Sequence, residues 1–186
     1  VALATLLLSA APSAWAGMTM NKSKIAFNAT GSPGFLTFEG ISKEATLSES
    51  DGSLVFTVPM SSVDTGIALR DEHMRDTYVE VAQFPNAELK LTRAEVTWPE
   101  DGAKSSGELK GGFTAHGVTV EVPVTYSIKN AKGTYKISAS FPFNTQELRI
   151  AIPSYLGVTI DPAMTADVSL EPVDAPQPRP AGHALL

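Results

Sequence analysis

A strict two-residue alternation recurs along the middle of this chain and limits what it can fold into. Val118, Val120, Val122, Val124, Tyr126 and Ile128 share one parity, while Thr119, Glu121, Thr125, Ser127 and Lys129 hold the other. Successive side chains of a strand point to opposite faces, so a slip of one residue would turn that whole apolar set to solvent. The same pattern returns in Tyr135, Ile137, Ala139, Phe141 and Phe143, in Leu54, Phe56, Val58 and Met60, and in Ala166, Val168 and Leu170. Ile25-Phe27-Ala29, Phe35 to Phe38 and Leu89-Leu91 are shorter versions of it. After Leu91 the apolar parity switches to Ala94, Val96 and Trp98, which predicts a bulge. Pro123 interrupts the polar parity of its strand and predicts a local edge or bulge, because it cannot donate to a ladder.

Turn signals separate these runs at Gly31-Ser32-Pro33-Gly34, Asp51-Gly52, Asp101-Gly102, His116-Gly117 and Lys132-Gly133. Strands joined by tight turns at this spacing predict an all-β antiparallel sheet, closed as a barrel or paired as a sandwich. One segment departs from the rule. Leu69 to Phe84 lacks alternation and carries Met74, Tyr78, Val81 and Ala82 in a helical stripe, with Asp71 and Arg75 one turn apart and Pro85 as the stop.

The ends read differently. Residues 1–16 are mostly apolar, uncharged and too short to span a bilayer as a helix. They finish in Ala14-Trp15-Ala16, a small-x-small pattern that predicts a signal peptide, and hence a periplasmic or secreted protein. Residues 172–186 are rich in proline and predict an exposed tail, in which His183 is assigned no role. The segment between them, 17–171, is the length of one domain.

Composition excludes much. With 14 Lys+Arg against 20 Asp+Glu the net charge is -6, so nothing draws the chain as a whole to nucleic acid or to anionic membrane surfaces. The absence of cysteine removes zinc–thiolate sites, iron–sulfur clusters, thiol nucleophiles and a lipidated N-terminal cysteine. No G-x-S-x-G elbow surrounds Ser154 or any other serine, and His73 and His116 are 43 positions apart, with no H-x-H or H-x-x-x-H pair and no carboxylate cluster at ligand spacing beside His116. Glycine-rich phosphate loops are missing as well. The reading is of a protein that is not an enzyme and needs no cofactor or metal. An enzymatic alternative would have to use His73 or His116 as its proton shuttle.

Two motifs carry a family resemblance. Ser62-Val63-Asp64-Thr65, then Leu69-Arg70-Asp71-Glu72-His73-Met74-Arg75, then Gln83-Phe84-Pro85-Asn86-Ala87 form the first. Gly107-Glu108-Leu109 through Gly112-Phe113-Thr114-Ala115-His116-Gly117-Val118-Thr119 to Val122-Pro123-Val124 form the second. A weaker match runs from Phe143-Asn144-Thr145 to Ile152-Pro153-Ser154. Together they resemble the YceI family, with Met74 where that family commonly has leucine. The family's longer opening hairpin is replaced here by Ser23-Lys24-Ile25-Ala26-Phe27 and the turn after it, so contacts made through that opening are not carried over.

The resemblance implies a lipocalin-like, extended antiparallel β-barrel of about eight strands with one short α-helix. It further implies a polyisoprenoid or quinone-like lipid held inside. The apolar parities would then line the barrel through Phe27, Phe56, Leu89, Leu91, Phe113, Val124, Phe141 and Phe143. Arg70, His73 and Arg75 are the candidates for a polar head group, since guanidinium groups offer forked donors. Nucleic acid and a membrane span are not expected, and a homodimer is left open. The alternative reading is a barrel of the same fold whose interior is filled by its own side chains and which acts through its surface.

Overall fold

The main alternating runs of the sequence form strands, because an antiparallel sheet with one face buried is the arrangement that hides their apolar parity. The computed structural model describes residues 19–32, 34, 36–155 and 157–173. The expected signal peptide and all but the first two residues of the expected tail lie outside them, as does His183. In chain order the elements are β1 (Thr19–Ser32), β2 (Leu36–Ser42), β3 (Thr46–Ser50), β4 (Ser53–Pro59), α1 (Ala68–His73), β5 (Asn86–Thr92), β6 (Lys104–Ala115), β7 (Val118–Ala131), β8 (Thr134–Asn144), β9 (Ser154–Tyr155) and β10 (Val158–Val173). β10 thus continues two residues into the stretch expected to be tail, pairing Pro172 and Val173 with Met20 and Thr19.

All pairings between these strands are antiparallel, in the order β2-β1-β10-β8-β7-β6-β5-β4-β3, with the short β9 added to β10. The two edge strands, β2 and β3, follow one another in sequence. The sheet therefore curls until a single bent stretch of chain serves both edges, pairing with β1 through Ser42 and with β4 from Thr46. Serines stitch this bend. Ser23 of β1 donates to the Lys43 carbonyl at 2.7 Å and accepts from the Ala45 N–H at 3.0 Å. Ser42 and Ser62 share a hydrogen bond of 2.6 Å beside the Ile41–Asp64 bridge. The result is the lipocalin-like curled sheet with one short helix that the family resemblance implies, here of ten strands among the described residues where about eight were expected.

Three two-residue turns behave as their sequences require. Asp51-Gly52, His116-Gly117 and Lys132-Gly133 all have positive φ at both positions, the geometry whose twist matches the flanking strands. Two local expectations are corrected. After Leu91 there is no bulge; β5 ends at Thr92 and a single 3₁₀ turn, Arg93–Glu95, carries the parity change to the buried Val96. The helix is also much shorter than Leu69 to Phe84. α1 stops at His73 and a wide turn over Met74–Tyr78 follows, in which the Val79 N–H reaches back to the Met74 carbonyl at 2.8 Å. The extra residue in that turn rotates the buried face. Val79 takes the core position, Met74 and Val81 pack beside it, and Ala82 is left exposed. Glu80, with φ 51, ends the coil.

Candidate functional site

The inward parities of β1, β4, β5, β6, β8 and β10 meet in the middle of the curled sheet. Phe27, Phe113, Phe141 and Phe143 touch ring to ring there, with centroids 5.0 to 6.2 Å apart. Beside them is a void of about 20 Å³ lined by Ile25, Phe27, Phe56, Val58, Ala87, Leu89, Phe113, Phe141 and Val168. Every one of these side chains is apolar, so the void offers a water no hydrogen bond. Of the eight lining candidates, Phe27, Phe56, Leu89, Phe113 and Phe141 border this void. Leu91 and Val124 are buried in the same core and press on Gly111, where an added Cβ would fall 2.6 and 3.2 Å from them. Phe143 belongs to the aromatic cluster and faces elsewhere as well. Ile25, Val58, Ala87 and Val168 were not singled out from sequence, although the first two and the last lie in the alternating runs.

Of the head-group candidates, Arg70 and Arg75 both bond the Val63–Thr65 segment. Arg70 turns back on its own loop, its Nε donating to Thr65 Oγ1 at 2.8 Å and its Nη2 to the Thr65 carbonyl at 2.5 Å, while the guanidinium lies 5.5 Å from the Phe38 ring centre. Arg75 donates through Nη2 to the Val63 carbonyl at 2.9 Å. His73 is exposed. The buried member of this charged run is Asp71, which sequence reasoning treated only as a helix partner. Its Oδ1 accepts from the Thr65 N–H at 2.8 Å and hydroxyl at 2.5 Å. Burial pushes the Asp71 carboxyl up, but the two Thr65 hydrogen bonds and the nearby Arg75 charge outweigh it and leave the pKa below its ordinary value. Arg70, Asp71 and Arg75 therefore hold the Val63–Thr65 segment against α1.

His116 holds the same end of the barrel together. Its Nε2 lies 2.7 Å from Glu80 Oε2, its Nδ1 3.3 Å from the Leu148 carbonyl, and its ring packs on Phe84 at 4.6 Å. Neither His73 nor His116 borders the interior void or the groove described next.

That groove, of about 850 Å³, is the larger cavity. It crosses β2, β1, β10, β8 and β7, and its lining includes Phe38, Val122, Pro123, Pro142, Phe143 and Met164. Phe143 is shared between groove and aromatic cluster. Three carboxylates border it, Glu39, Glu121 and Glu147, and Glu121 is held by Lys110 at 2.7 Å. A volume of this size is in the range of small-molecule sites, whereas the interior void, about 20 Å³, has room for little more than a water-sized group.

A family model for the YceI-like domain matches residues 17–171. Comparison with the curated proteins finds no match. Among solved structures, a polyisoprenoid-binding domain from Saccharophagus degradans, implicated in plant cell wall breakdown, superposes with a TM-score of 0.69 at 16% identity. The match covers 87% of this chain and 99% of that one. Burkholderia cenocepacia BcnA matches with a TM-score of 0.58 at 18% identity, covering 80% and 95%. The YceI protein of Campylobacter jejuni gives 0.50 at 15% identity, covering 94% of each chain. At these identities the likeness is one of fold.

Proposed function

The chain belongs to the YceI-like family, and from that premise we propose that it binds a long apolar molecule of the polyisoprenoid class inside its curled sheet, without catalysing a reaction, outside the cytoplasm. The observation that carries this reading is the middle of the barrel, where nine apolar side chains and no polar one surround the void. Support comes from the Saccharophagus degradans domain, described as polyisoprenoid-binding. The apolar residues 1–16 support a place beyond the cytoplasmic membrane, which cell fractionation of the tagged full-length protein tests.

Each CH₂ removed from water contributes about 0.8 kcal/mol, so a prenyl chain needs no specific hydrogen bond to bind. The filled interior sets the condition: the ligand takes its place by displacing phenylalanine rings. Phe27 and Phe143 are the ones to move, since both are only partly buried while Phe113 and Phe141 are fully so. Native purification, solvent extraction and mass spectrometry test the proposal, together with uptake of geranylgeraniol carrying a terminal nitrobenzoxadiazole fluorophore. A co-purifying polyprenyl lipid and saturable uptake are expected. Repeated preparations that carry no such lipid and take up no probe overturn the reading.

The small void favours a second reading, a barrel with a solid interior that acts through its outer surface. Under it the same extractions return no lipid, and Phe56→Trp lowers stability by overpacking, about 1–3 kcal/mol, while leaving partner binding intact.

A further inference from the structure

The groove of about 850 Å³ coincides with the place where the sheet comes apart. β7 and β8 leave the Lys132-Gly133 turn paired, and their ladder runs from Ala131↔Thr134 to Thr125↔Ser140. Both strands continue past that point. β7 stays on β6 down to Val118, and β8 stays on β10 up to Asn144. Among the described residues, however, β7 and β8 do not pair with each other again. In the register they leave, Pro123 and Pro142 stand opposite one another. Neither has an N–H, so neither can donate a hydrogen bond that would carry the ladder on. Two prolines facing across adjacent interior strands mark the spot where this sheet opens.

The groove lies across that split, with Glu121, Val122 and Pro123 on one lip and Pro142, Phe143 and Asn144 on the other. Phe143 also reaches the interior, 5.0 Å from Phe113 and 6.2 Å from Phe27. Phe143, partly buried, therefore links the groove of about 850 Å³ to Phe27 and Phe113, the rings that border the apolar void.

We infer that the split between β7 and β8 is a side door, through which an apolar chain passes between groove and interior when the Phe143 ring swings aside. The inference rests on the proposed lipid binding. Its physical basis is that entry through an intact sheet breaks backbone hydrogen bonds, each costly to leave unmade in an apolar setting, whereas here no ladder has to be broken. The alternative passage through an end of the barrel meets the buried Leu148 and the His116–Glu80 contact on the α1 side.

Stopped-flow association of the fluorescent geranylgeraniol tests this. The double variant Pro123→Val, Pro142→Val changes two exposed residues and returns two N–H donors, so the ladder extends and the door narrows. Its association rate is expected to fall about tenfold with dissociation slowed alongside, because a passage acts on both directions. Phe143→Ala is expected to raise both rates, and its thermal melt checks that it is folded. Wild-type rates in the proline double variant, with probe still bound, overturn the door and leave the binding reading standing. A wild-type protein that takes up no probe overturns the binding reading and the door with it.

Discussion

Asp71 is 7% exposed and its carboxylate fastens the loop at Thr65 to α1. It takes both donors of Thr65, Thr65 in turn takes Arg70, and Arg75 secures the Val63 carbonyl. Its pKa in the folded protein lies below the ordinary 3.8, so its contribution to stability is present in full at neutral pH and is lost as pH falls below that value, through the lowered one. Asp71→Asn should cost about 2 kcal/mol at pH 7. In urea titrations the gap between wild type and variant should close on acidification; a gap that is constant with pH would mean the carboxylate's charge plays no part. A second residue-scale prediction concerns Gly117, which has φ 72 and would place a Cβ 2.7 Å from the Phe84 ring. Gly117→Ala should destabilise by at least the left-handed penalty of about 1–2 kcal/mol, read from the denaturation midpoint. Residue roles were the least legible part of the sequence. The run from Arg70 to Arg75 read as a cationic head-group site because its chemistry is visible and its partners are not. Arg70 reaches Thr65 and Arg75 reaches the Val63 carbonyl because the loop between Val63 and Ala68 folds back, which no local pattern records.

At the scale of elements, legibility followed periodicity. β4, β7, β8 and β10 were readable because each buries one parity, and the glycine-containing turns fixed their ends. The split between β7 and β8 was also written in the chain, since Pro123 and Pro142 are equally distant from the Lys132-Gly133 turn. Pro123 was read as a local edge, and seeing the split needed only the second proline placed against it. The coil after α1 was overextended because the wide turn at Met74–Tyr78 shifts the buried face by one residue, a change with no compositional mark. The stretch after β8 gave no periodic signal, being neither alternating nor helical, and only a weak family match ran through it. Yet Leu148 within it is completely buried, and its carbonyl meets His116. Leu148→Ala should therefore cost about 2–5 kcal/mol, as much as a substitution inside any strand. A loss below 1 kcal/mol in chemical denaturation, with approximation ~0.5 for an ordinary surface change, would show that this loop is not part of the core.

The whole molecule poses one question that no single element answers: whether the interior is a place for a ligand or a finished core. The bent stretch from β2 to β3 closes the sheet on itself and makes an inside. The phenylalanines of four strands then crowd it, beside a void of about 20 Å³. A side chain at the centre of that filling separates the two answers. Phe113 is buried, touches Phe141 and Phe143, and borders the void. Phe113→Ala should lower stability by about 3–5 kcal/mol, since the packed surroundings collapse only in part around the space it leaves. If the interior takes up a prenyl chain, saturating geranylgeraniol occupies that space and stabilises the variant more than the wild type, in which rings must first be displaced. Ligand that binds only the folded state at a hundredfold excess over its dissociation constant adds about 2.7 kcal/mol, so a tenfold tighter affinity in the variant would recover roughly a further 1.4 kcal/mol of the loss. The measurement is a pair of denaturation curves for each protein, with and without the prenol. A deficit of the same size in both conditions would identify a solid core, and the molecule would then have to act from its outer face.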